Sequence, residues 1–389
     1  FWLKGAGRPP AAKPQPAPMD GPPKPPAHKR EGRPRPKAHF AAKEVDTPPP
    51  PVPVTAGGPT TGGSSRSSVI SSTSRSEGGD YNWDALEIPS SQIEVQFCVG
   101  TGGTADVYKG LWQGQIVAVK QLKSQKGRMN RMHHKEQVMF AREVSIMATI
   151  NHDKLVRFHG ISFSTRPFRI ITEFCGGGNV YELLHCCEHK DLEWCQRQQI
   201  CLDVASAMDY LHKLDPQIIH RDLKSSNLLL LEPVMLATDP IHVKVSDFGL
   251  ARMKDQEEAW GKMTTEAGTL RWMAPEVIRG TDYDEKADVY SYSMVLFEVV
   301  SRTLPFEDDT CENIVSQILK GKHPDLEAVP PDCPNAINEL MVRCWDPEPS
   351  KRPPFSEIVP IMRTFEFGES TFRKKPGKML LRGASGVLK

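Results

Sequence analysis

Eight consecutive residues, His220-Arg221-Asp222-Leu223-Lys224-Ser225-Ser226-Asn227, constrain this chain more than any other stretch. They put a carboxylate, an ammonium and a carboxamide on one short loop. Asp222 is short and rigid enough to orient a hydroxyl and accept its proton. Lys224 can neutralise charge on a phosphoryl group in transfer, and Asn227 offers a neutral oxygen to a hard cation. The apolar run from Leu228 to Leu231 predicts a buried strand that anchors the loop.

The flanking segments supply matching parts. Downstream, Val243-Lys244-Val245-Ser246-Asp247-Phe248-Gly249 reads as an alternating strand ending in an acidic turn, with Asp247 as a second metal-binding group. Upstream, Gln115-Ile116-Val117-Ala118-Val119-Lys120 predicts a strand that ends in a lysine. Ahead of it, Ile93, Val95 and Phe97 alternate and predict a strand. That strand feeds the glycine-rich turn Val99-Gly100-Thr101-Gly102-Gly103-Thr104-Ala105-Asp106-Val107. Glycines there let backbone N–H groups approach phosphate oxygens with no Cβ in the way. A phosphate loop, a lysine, an acidic base with an asparagine, and a metal aspartate are together the parts of a phosphoryl-transfer site.

In this order, over about Ile93 to Phe365, these motifs resemble the eukaryotic protein kinases. Trp272-Met273-Ala274-Pro275-Glu276 and Cys344-Trp345 resemble the tyrosine-kinase-like group, the Raf and mixed-lineage kinases. The resemblance implies an α+β, bilobal protein kinase fold with a small β-rich N-lobe and a large α-helical C-lobe. The expected division is a disordered Pro/Ser/Gly-rich arm over residues 1–90, a kinase domain over 91–365 and a basic tail over 366–389.

The resemblance also implies roles. Lys120 pairs with the α- and β-phosphates of ATP, and Glu143, on a helix marked by Phe140, Val144, Met147 and Ala148, pairs with Lys120. Val107 and Ala118 cover adenine from above and Leu229 from below. Thr172 guards the back of the pocket, and the backbone of Glu173 to Cys175 bonds adenine. Asn227 and Asp247 hold Mg²⁺. Arg221 receives the charge of a phosphate on Thr264 or Thr265, and the Thr269 hydroxyl bonds Asp222 and Lys224. Glu276 meets Arg352 in a buried pair, and Asp288 braces the catalytic-loop backbone. Met147, Phe158, Phe248 and His220 resemble the residues that stack between the lobes. Ala105 replaces the third glycine of the family pattern, which predicts a modest change in loop mobility rather than loss of ATP.

Lys224, two residues after Asp222, resembles the serine/threonine kinases; dual specificity is the alternative. A pseudokinase scaffold predicts a missing Lys120, Asp222 or Asp247, and all are present. A further alternative makes the chain an interaction protein whose Pro-rich arm matters most.

Outside the motifs, the residues before about Ser90 bury too little apolar surface to offset ordering entropy. The run Thr47-Pro48-Pro49-Pro50-Pro51-Val52-Pro53 favours polyproline II, a ligand for SH3, WW or profilin-like grooves or a solvated linker. Between Lys123 and Lys135 the chain is basic and reads as a solvated loop, with a docking patch as the alternative. Glu232 to Pro240 reads as an exposed, inert hairpin tip. His185-Cys186-Cys187-Glu188-His189 puts two histidines on one helical face but has no complementary pair nearby, so it is not read as a metal box.

Forty-nine basic and 48 acidic side chains leave a net charge of +1, which gives no overall attraction to nucleic acid. Nine cysteines without C-x-x-C spacing argue against zinc or a disulfide framework and suit reduced thiols in a cytoplasmic protein. No apolar run reaches the roughly 18–20 residues of a membrane span. The sequence starts at Phe1 rather than Met, so a fragment or processed product is expected.

Overall fold

The computed structural model describes residues 82–123, 134–187, 192–253 and 269–364. The polyproline run, Thr264, Thr265 and the basic tail lie outside the described residues.

The described chain opens on a short helix, α1 (Trp83–Leu86). This helix lies ahead of the boundary expected at residue 91. Ile88 is buried, and its N–H donates to Ile161 O at 2.7 Å. Glu87 accepts the N–H groups of Phe163 and Ser164. The polar composition of this stretch hides a few well-placed apolar side chains.

β1 (Ile93–Thr101), β2 (Ala105–Trp112) and β3 (Gln115–Leu122) form an antiparallel meander. Gln113 and Gly114 join β2 to β3 with positive φ at both residues, 49° and 78°, the geometry whose twist matches a hairpin. After α2 (His134–Thr149), β4 (Phe158–Ser162) and β5 (Arg169–Glu173) complete a sheet of order β1-β2-β3-β5-β4. The alternation read in β1 breaks between Val95 and Cys98, where the register with β2 shifts. A bulge of this kind reverses the facing of later residues, and Phe97 is left 58% exposed. It lies instead against Lys109, whose ammonium is 5.7 Å from the ring centroid.

The second lobe is helical. α3 (Val180–His185) starts at an Asn179–Glu182 capping box. α4 (Trp194–Lys213) buries Ile200, Val204, Met208 and Leu211 along one stripe, the 3.6-residue period expected of a core-facing helix. Two strand pairs follow from β6 (Ile218–Ile219), β7 (Leu228–Leu230), β8 (Val243–Val245) and β9 (Arg252–Met253): β6 with β9 and β7 with β8. α5 (Pro275–Arg279), α6 (Lys286–Ser301), α7 (Cys311–Leu319), α8 (Asn335–Cys344) and α9 (Phe355–Thr364) complete the lobe. The connection from Glu232 to Pro240 is more than the inert tip expected. Val234 is buried, and the carbonyls of Leu236 and Asp239 accept from the buried amide of Gln196.

α6 organises this lobe. Every residue from Ala287 to Val300 is buried. A helix buried on all sides belongs to the interior of a core, and fully burying each large apolar side chain contributes about 1.5–3 kcal/mol. This buried helix carries two carboxylates, Asp288 near its start and Glu298 near its end. Glu298 accepts from His185, Ser225 and the indole of Trp272. His185 is therefore a structural partner of Glu298. Among the described residues no helix is long and apolar enough to cross a membrane.

Candidate active site

The glycine-rich turn lies between β1 and β2. Gly102 N–H donates to Ala105 O at 2.8 Å, and Ala105 is buried against the sheet. Val99, Gly100 and Thr101 end β1, Gly103 and Thr104 form the tip, and Asp106 and Val107 run into β2. Val107 on β2, Ala118 on β3 and Leu229 on β7 are buried, and Thr172 and Glu173 end β5. The Glu173 N–H is already taken by Arg157 O at 2.9 Å. Burial pushes the Cys175 thiol up to about 12, with Glu173 adding to the shift.

Three charged groups meet on the inner face of the first lobe. Lys120 Nζ donates to Glu143 Oε1 at 2.6 Å and to Asp247 Oδ1 at 3.2 Å. Burial pushes the Lys120 ammonium down, but Asp247 and Glu143 outweigh it, and its pKa ends well above the ordinary value. Asp247 goes the other way. Burial raises its pKa, and Lys120 more than reverses that, so the carboxylate is ionised throughout the physiological range. Asp247 has a left-handed backbone, φ 65°. A Cβ at Gly249 would lie 3.3 Å from Asp247 Oδ1, so a side chain there crowds the carboxylate.

The loop before β7 carries the second group. Lys224 Nζ donates to both carboxylate oxygens of Asp222, at 2.9 and 2.8 Å, and to Thr269 Oγ1 at 3.0 Å. Asn227 Nδ2 donates to Asp222 O and Oδ2, at 2.8 and 2.9 Å, which turns its carboxamide oxygen the other way. Asp222, Lys224 and Asn227 are all buried. Asp288 holds the loop from beneath. Its carboxylate accepts the N–H groups of His220 and Arg221, each at 2.8 Å, and bonds His212 Nε2 at 2.9 Å. His220 packs edge-on against Phe248, with ring centroids 5.3 Å apart. Met147 and Phe158 join Phe248 in one apolar cluster. Arg221 lies over the Tyr283 ring, 5.3 Å from its centroid. Further out, Arg352 forks onto Glu276 with bonds of 2.6 and 3.0 Å.

The structure thus gathers Lys120, Glu143 and Asp247 at one point and Asp222, Lys224, Asn227 and Thr269 at another. Sequence reasoning missed His212, which pairs with Asp288 across 76 residues. Its signal was a polar ring directly after the buried Leu211 of α4.

Residues 93–362 match the family described as protein tyrosine and serine/threonine kinase, more than half of the chain. The chain belongs to the protein kinase family. The Arabidopsis thaliana serine/threonine-protein kinase STY46 is 38% identical over 304 residues, 77% of this kinase and 49% of STY46. STY17 of the same plant is 37% identical over 281 residues, 72% of this kinase and 45% of STY17. This kinase spans about half the length of these relatives. A family model covering both tyrosine and serine/threonine kinases, and relatives named serine/threonine kinases, agree with the tyrosine-kinase-like group. Members of the family use ATP and a divalent metal.

Proposed function

We propose that the chain transfers the γ-phosphate of ATP to serine or threonine hydroxyls of proteins in cytoplasmic signalling. The observation that carries this reading is the bridge from Lys224 to both Asp222 and Thr269. It supports Asp222 as the acidic base beside a substrate hydroxyl, with the Lys224 ammonium as the neighbouring cation.

The donor set suits Mg²⁺. Asp247 and Asn227 offer oxygen ligands, the preference of a hard cation, and Asp247 is ionised. Mg²⁺ held there would neutralise phosphate charge. Lys120, steadied by Glu143, binds the α- and β-phosphates. Val107, Ala118 and Leu229 exclude water around adenine. With the Glu173 N–H spent on Arg157, the adenine contacts fall to the Glu173 carbonyl and the Cys175 amide. Asp222 orients the substrate hydroxyl and takes its proton as the new O–P bond forms and the bond to the β-phosphate oxygen breaks. Lys224 balances the charge on the transferring group. Phosphate on Thr264 or Thr265 would compete with Tyr283 for Arg221. The polyproline run is read as an SH3 or WW ligand on composition alone.

Purified protein incubated with Mg-ATP and a generic basic protein tests this, followed by phosphoamino-acid analysis. Phosphoserine and phosphothreonine are expected. Phosphotyrosine as the sole product would overturn the substrate class, and no incorporation would overturn the activity.

A further inference from the structure

The basic stretch after β3 begins with Lys123, which the sequence alone gives no reason to separate from the lysines and arginines that follow it. Lys123 is nonetheless fixed at three points. Its N–H donates to Thr104 O at 2.9 Å, so it continues the β2–β3 ladder past Ala105 and Leu122. Its ammonium donates to Gly102 O at 2.6 Å and lies 2.9 Å from Asp106 Oδ1.

Strand alternation tells which face this is. Side chains two apart along a strand share a face. Lys120 faces the cleft, where it meets Glu143 and Asp247. Lys123, three residues on, therefore projects from the outer face. Val107 is buried on the inner side of β2, so its neighbour Asp106 projects outward, and the Lys123–Asp106 ion pair agrees with both assignments. The ammonium thus holds the Gly102 carbonyl toward the outer face. The Gly102–Gly103 peptide is trans, since the cis bonds among the described residues are at Pro167 and Pro216. In a trans peptide the C=O and the following N–H point in opposite directions. The Gly103 N–H therefore points away from the Lys123 ammonium.

We propose that Lys123, anchored by Asp106, is a positioning residue for nucleotide phosphates: it fixes the orientation of the Gly102–Gly103 peptide so that the Gly103 N–H is presented to them. The inference rests on the reading of the cleft as an ATP site. It also gives Ala105 a context, since the clasp restrains a loop that lacks the family's third glycine. The ion pair is half open to water, with side chains 35% and 24% exposed, so it contributes little to stability. Its effect is on geometry.

The test compares ATP with adenosine, which has no phosphates, on the intact chain. Wild type, Lys123→Ala, Lys123→Arg and Asp106→Asn are measured for ATP KM, kcat and adenosine competition. Loss of one oriented donor to a charged group predicts an ATP KM about 10-fold higher in Lys123→Ala, with adenosine affinity and kcat nearly unchanged. Lys123→Arg, which keeps a cationic donor, restores most of the ATP affinity. Asp106→Asn, which removes the anchor and keeps the cation, also raises the ATP KM. If Lys123 touched the phosphates directly, Asp106→Asn would free its charge and lower the KM, which overturns the clasp. An unchanged ATP KM in Lys123→Ala, or equal losses for ATP and adenosine, overturns it too. A wild-type chain that binds no ATP removes the parent reading as well. That failure is distinct from a wild type that binds ATP and a Lys123→Ala variant that binds it equally.

Discussion

Asp288 Oδ1 accepts the backbone N–H of Arg221 at 2.8 Å and so holds a non-glycine residue in the left-handed region, φ 68°. Such a backbone costs roughly 1–3 kcal/mol unless its surroundings enforce it. Here the enforcement comes from α6, the most deeply buried helix of the second lobe. Asp222 is the next residue, so the position of its carboxylate depends on Asp288, 66 residues away in sequence.

Asp288→Asn presents an amide N–H to at least one backbone donor that it must now leave unpaired. A buried donor without an acceptor costs about 1–3 kcal/mol. The expected outcome is that much lost stability in urea unfolding and a fall in kcat that exceeds any change in ATP KM. An unchanged kcat in a folded variant contradicts the brace.

The Glu276–Arg352 fork is buried, with the Arg352 guanidinium also spanning to Asp346 O and Lys286 O. Removing one member strands the other's charge in the core, at a cost of about 3–5 kcal/mol. Arg352→Ala is therefore expected to unfold at much lower denaturant concentration than wild type, while Arg343→Ala, at an exposed ion pair with Glu357, is expected to shift little. Equal midpoints for the two variants would contradict this.

The edge of the first lobe gives a third expectation. Ile88 lies where a Cβ on Gly160 would come within 2.7 Å of its Cδ1 and of Leu86 O. Gly160→Ala must push the segment before β1 off β4, and Ile88→Ala empties the same contact at a cost of about 2–4 kcal/mol. Both are read by thermal unfolding. Wild-type stability in Ile88→Ala would show that residues 82–90 are not part of the fold.

Stability is expected to fall in mild acid through two histidines. Burial lowers the pKa of His152 and of His159 below the ordinary value of 6.5. The unfolded chain then binds more protons than the folded one as pH drops below about 6.5, so stability is lost on acidification and regained on raising pH. Urea midpoints at pH 7.5 and 5.5 measure it. Replacing both histidines with asparagine should flatten the slope, and an unaltered slope would assign it elsewhere.

Cys175 lies two residues after the end of β5, and its thiol is pushed up to about 12 by burial. The thiolate is the nucleophile, so Cys175 is expected to resist iodoacetamide at pH 7 long after exposed Cys98 and Cys195 have reacted. Rapid labelling at Cys175 by peptide mapping would contradict the buried setting.

How much of this was legible depends on distance along the chain. Asp222, Lys224 and Asn227 lie within six positions, so their local spacing already brought them together, and the structure joins all three. The Glu143 partner of Lys120 came only through resemblance, because no local pattern measures a gap of 23 residues. Phe97 misled, since a bulge is a backbone event that apolar alternation cannot register. Lys123 was indistinguishable from the basic stretch it begins. What separates it is a carbonyl across the hairpin, visible only once the strands are in register. Trp83 to Ile88 were passed over because their apolar content is slight and its use depends on the groove beside Gly160.

The central claim is that Asp222 takes the substrate proton while Lys120 and Asp247 handle nucleotide and metal. Single-turnover phosphorylation by Asp222→Asn, with ATP affinity measured alongside, addresses it most directly. The account predicts a rate lower by at least the roughly 10²–10⁴ of a positioned acid–base group, with ATP affinity close to wild type. A variant that phosphorylates as fast as wild type would contradict it.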